Sequence, residues 1–129
     1  MITTREVRPG VVEVLIPIAL YGQAGTHWHE VLSGPNHGGY GKIYIQRFGA
    51  KERRYSACYD LRGYYRGNPG ANVDECPGAM FIWSGMKEAH VEAIDAIDNQ
   101  TLGRDLGAAL RKYPQASERE LWEVRFRFV

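Results

Sequence analysis

From Trp122 to Phe128 large apolar side chains alternate strictly with charged ones, Trp122, Val124, Phe126 and Phe128 against Glu123, Arg125 and Arg127. Successive side chains of a strand point to opposite faces, so the pattern predicts a strand with one buried and one wetted face. Such a strand needs partners at its sides and an apolar layer over one face. That layer is predicted just upstream. Met86, Ala89, His90, Ala93, Ile94 and Ile97 fall on one helical stripe, with Glu88, Glu92, Asp95 and Asp98 turned away. A second stripe, Leu102, Leu106, Ala109, Leu110 and Tyr113, starts at the capping residue Thr101 and stops at Pro114.

The partner strands are predicted earlier in the chain. Residues 11–21 are rich in Val, Ile and Leu, and Pro17 removes one ladder donor, which suits a sheet edge or a bulge. Residues 42–48 alternate, and after a turn at 49–53 residues 55–62 alternate again, which predicts a hairpin. Residues 79–83 lack a polar face and are expected in the middle of the sheet. The glycine-rich stretches 22–41 and 67–78 are expected as loops, with residues 26–32 either a short strand or one helical turn. The expected class is α+β: a mostly antiparallel sheet of about five to six strands, with two consecutive helices packed on one face before the C-terminal strand. A chain of 129 residues is expected to form one domain, residues 1–129.

The formal net charge is +1, so no global field favours nucleic acid, an anionic membrane or an acidic substrate. The two cysteines, Cys58 and Cys76, form no CxxC pair, which excludes a disulfide framework and a zinc ribbon and suits reduced thiols. No apolar run reaches the roughly 20 residues that a membrane span needs. The expected location is cytoplasmic.

Three of the four histidines, His27, His29 and His37, lie in one short glycine-rich region. If residues 26–32 form a strand, His27 and His29 share a face and can both reach a divalent metal, with His37 or Glu30 as a third ligand. If they form a helix, that pairing disappears. The same imidazoles suit acid–base work at neutral pH, and a polar loop with ordinary hydrogen bonds explains them equally. No other cofactor is implied. Gly22, His27 and His29 resemble part of the cupin motif, but Glu30 follows too closely and the predicted C-terminal helices do not fit a jelly roll. No nucleophile, base and orienting group share a recognised spacing, so the chain could be an enzyme or a binding protein with no reaction assigned.

Three functions follow as expectations. The first is a small-polar-ligand cleft in which His27, His29 and His37 meet Tyr44, Arg47 and Tyr59. The second is an interaction or self-association module, a homo-oligomer that extends its sheet through the last strand at an open edge. The third is single-stranded nucleic-acid binding through residues 42–66, where Lys and Arg outnumber Glu52 and Asp60, with Arg53, Arg54, Arg62 and Tyr64 as contacts. The acidic stretch 67–100 offers a simpler partner for that positive charge. His90, on the first helical stripe, is expected as a core histidine.

Overall fold

A computed structural model of the chain describes residues 1–58 and 70–129. It is mixed α+β, with mostly antiparallel strand pairing. The strands are β1 (Thr3–Arg8), β2 (Val11–Ile16), β3 (Ile43–Ile45), β4 (Ala71–Cys76), β5 (Phe81–Trp83), β6 (His90–Asp95) and β7 (Trp122–Phe128). The helices are α1 (Gly22–Leu32), α2 (Ala50–Cys58) and α3 (Ala96–Leu110). Five strands form one sheet in the order β1-β2-β7-β3-β5, and β4 and β6 form a separate two-stranded ribbon. Within the sheet β2 and β7 run parallel, and the other pairs are antiparallel.

Register places most of the buried apolar residues of the sheet on a single face. Val12 lies opposite Val124, Val14 opposite Phe126, Ile43 opposite Val124 and Ile45 opposite Phe81, and all of them are buried. Ala24, Trp28 and Leu32 of α1 and Leu102, Leu106 and Leu110 of α3 join them in one core. Trp28 meets Phe81 and Phe126 edge-on, with ring centroids 6.2 and 5.6 Å apart, so α1 lies directly over the sheet. The ribbon packs against α1 and α3. Among the described residues no helix is long and apolar enough to cross a membrane.

Several expectations need correction. Pro17 ends β2 at Ile16, and a 3-10 turn (Ile18–Tyr21) replaces the rest of the expected strand. That strand is not at an edge, because β1 flanks it; β1 is polar and mostly exposed, so it carries little apolar signal. Residues 55–58, expected in the hairpin, belong to α2, while 59–62 lie outside the described residues. Within the expected loop 67–78, β4 forms. Although apolar, β5 lies at the sheet edge, beside a cleft that α2 and the loop before β6 also line.

Between β5 and β7 one α-helix forms, not two. The stripe from Met86 to Ile97 fails because His-Val-Glu-Ala-Ile-Asp also alternates with period two, and pairing with β4 draws it into β6. Met86 and Ile97 are accordingly exposed. The cap of α3 is Asp95 rather than Thr101, its carboxylate accepting the Asp98 N–H at 3.0 Å. β7 adopts the predicted alternation but sits centrally, between β2 and β3.

Candidate metal centre

The β4–β6 ribbon aligns Asp74 with Glu92 and Cys76 with His90, so these four side chains share one face. Against that face lies α1, which carries His27. The helix buries Ala24, Gly25, His27, Trp28 and Leu32, a spacing of three to four residues that sets its inward side. His27 is therefore carried to the ribbon and is only 2% exposed.

Both ring nitrogens of His27 are engaged. Its Nδ1 lies 2.7 Å from Asp74 Oδ2, and because a carboxylate only accepts, Nδ1–H is the donor. The other oxygen of Asp74 accepts the Trp28 indole N–H at 3.2 Å. One carboxylate thus orients two neighbouring rings of α1. The Nε2 atom of His27 faces outward, 2.7 Å from His90 Nδ1 and 3.6 Å from Glu92 Oε2. One ligand atom each from His27, His90 and Glu92 lies within 4.8 Å of the others.

This geometry suits a divalent transition metal. Two nitrogens bound at about 2.0–2.1 Å to one ion stand roughly 3 Å apart, so the rings need only a small adjustment. Two imidazoles and a carboxylate are donors that zinc and similar ions accept. A carboxylate behind a ligating histidine, as Asp74 stands behind His27, fixes the tautomer that presents Nε2 to the ion. His90 and Glu92 are exposed, which gives solvent access to the site. A cleft of about 650 Å³ reaches His27, Glu30, Glu92 and Asp98 from one side, and another of about 510 Å³ reaches His27, Glu30, Tyr40, Lys87 and His90 from the other. Cys76 shares that face but is not one of the three residues whose ligand atoms converge, and burial, with the Asp74 charge adding, pushes its thiol well above the usual range.

The residues expected from sequence separate. Residues 26–32 are helical, so His29 projects about 200° around α1 from His27 and packs its ring against Phe128, 5.3 Å away. The expected His27 and His29 metal pair therefore does not form. His37 is buried: its Nδ1–H donates to the Gly41 carbonyl at 3.1 Å, and its Nε2 accepts the Phe126 N–H at 3.1 Å. It continues the sheet ladder on the side where β3 has not yet begun, a structural role.

Tyr44 lies on the sheet face opposite the core, in register with Ile82 and Glu123. The guanidinium of Arg47 donates to the carbonyls of Leu110 and Tyr113, both at 2.9 Å, at the end of α3. Arg53 donates to the carbonyls of Gln46, Phe48 and Ala79. Arg54 pairs with Glu75 at 3.0 Å, one link between the basic and acidic stretches. Tyr59, Arg62 and Tyr64 lie outside the described residues.

Asp74, His90 and Glu92 had no place among the expected site residues. The signal present for them was spacing: His90-Val-Glu92 puts two donors on one face only if the segment is a strand. His90 is not a core residue but an exposed one that meets His27. No protein-family model matches this chain, and no curated protein matches it.

Proposed function

We propose that the chain binds a divalent transition metal through His27, His90 and Glu92, and that the metal anchors a small polar ligand in the adjoining clefts. The observation that carries this is the buried His27, clamped by Asp74 on one nitrogen and directed on the other toward a second imidazole and a carboxylate. A histidine buried only for packing needs no such convergence. Nucleic-acid binding draws less support, because Arg47 and Arg53 are committed to backbone carbonyls and Arg54 to Glu75. Sheet extension through β7 loses its basis, because both edges of that strand are paired.

Zinc titration followed by calorimetry, with metal content read by mass spectrometry, tests the assignment. One ion per chain is expected. His27→Ala and His90→Ala should each weaken binding by more than about 100-fold, and Asp74→Asn by about 10- to 100-fold. His29→Ala should leave it unchanged. Zinc affinity that is indifferent to His27→Ala and His90→Ala overturns the proposal.

A further inference from the structure

We infer that the centre is hydrolytic, with Glu30 as the proton acceptor for a water held at the metal, and that it acts on uncharged or cationic acyl substrates. This rests on the metal assignment above. Three protein ligands leave a coordination position for water, the arrangement of catalytic rather than structural zinc sites. Glu30 follows His27 by three residues on α1, which places both on neighbouring faces of the helix. It lines both clefts that reach His27, and among the described residues its carboxylate has no hydrogen bond or ion pair. A carboxylate without a competing partner, beside a metal-held water, can accept its proton.

The walls define the substrate. Among the described residues Glu30, Glu92 and Asp98 line the larger cleft and no Lys or Arg does. In the smaller cleft the one Lys among the described residues is Lys87, whose ammonium donates to the Gly38 carbonyl at 2.8 Å and stands 4.8 Å over the Tyr40 ring. Set against the two positive charges of the ion, the carboxylates of Glu30, Glu92 and Asp98 still leave a net negative wall, so an anionic substrate meets like charge there, whereas a neutral ester, an amide or a cationic amine derivative does not. In the reaction, water transfers one proton to the Glu30 carboxylate as its oxygen bonds to the acyl carbon. The bond from that carbon to the leaving oxygen or nitrogen then breaks with its electron pair. The leaving group takes the proton back from Glu30, so no external oxidant or reductant is required.

The test uses the full chain loaded with zinc, and separately with cobalt(II), as wild type, Glu30→Gln and Glu30→Asp. With p-nitrophenyl acetate as the uncharged probe, Glu30→Gln should lower kcat/KM by about 100-fold or more, with partial recovery in Glu30→Asp. The pH midpoint of the cobalt visible spectrum should move in Glu30→Gln while zinc affinity stays within about two-fold, because a proton acceptor is not a ligand. The anionic p-nitrophenyl phosphate should not be turned over. Loss of zinc binding in Glu30→Gln, unchanged esterase activity, an unmoved cobalt titration or faster turnover of the phosphate each overturns the inference alone. Failure of the wild type to take up metal overturns both proposals.

Discussion

Tyr21 and Asp105 show how one buried polar contact ties stability to pH. The phenol of Tyr21 is 1% exposed, and its hydroxyl donates to Asp105 Oδ2 at 2.8 Å. Burial first, and then the bond to the Asp105 carboxylate, push its pKa from 10.0 up to about 12. The folded chain therefore holds the neutral phenol more strongly than the unfolded chain does. The stability this gives is fully present below pH 10 and is lost as pH rises from 10 to about 12. Tyr21→Phe should flatten the fall in urea-unfolding stability over that interval; an unchanged slope would assign the alkaline loss elsewhere. Asp105 moves the opposite way, held below the usual carboxylate range chiefly by the same hydroxyl. At the candidate metal centre Asp74 plays a comparable part, one acceptor fixing both His27 and Trp28.

At the scale of elements, long polar side chains finish what the backbone leaves open. The last carbonyls of a helix have no partner within it, and Arg47 answers those at the end of α3 through Leu110 and the following Tyr113. Arg47→Met keeps the aliphatic stem and removes both donors. It should lower unfolding stability by about 1–3 kcal/mol in a urea titration. An effect below the error of the titration would show that water replaces the guanidinium without cost. His37 performs the same service for β7, accepting the Phe126 N–H at a level that β3 has not yet reached. Such roles are hard to see in sequence because the donor and its carbonyl are distant, 63 and 66 residues apart for Arg47. A charged residue beside aromatic ones therefore resembles a ligand contact until its partner is known.

At the scale of the whole molecule, the candidate metal bridges elements that otherwise hold one another by packing and by the hydrogen bonds of Asp74. An isolated two-stranded ribbon is marginal in water, so β4 and β6 depend on α1 and α3. An ion shared between His27 of α1 and His90 and Glu92 of β6 would fasten that contact. Zinc at 100 times its dissociation constant should stabilise the fold by about 2.7 kcal/mol, read as a rise in Tm. The rise should vanish in His90→Ala. An equal rise in that variant would place the stabilising zinc at another site.

The alternation of β7 and the stripe Leu102, Leu106 and Leu110 were legible because local spacing alone assigns their buried faces. The α+β class follows from such local patterns. Residues 90–95 satisfy both periods, and pairing with β4 settles which one forms. Glycine-rich residues 22–25 hid the start of α1, which is held in place by its packing and by Asp98 accepting the Gln23 N–H at 2.9 Å. The candidate site depended on both outcomes at once. His27 lies 47 residues from Asp74 and 63 from His90, so only the docking of α1 onto the ribbon brings them together. Composition and periodicity determined which side chains were available to the core and to chemistry; tertiary packing decided which of them meet, because contact between distant residues is a property of the assembled fold.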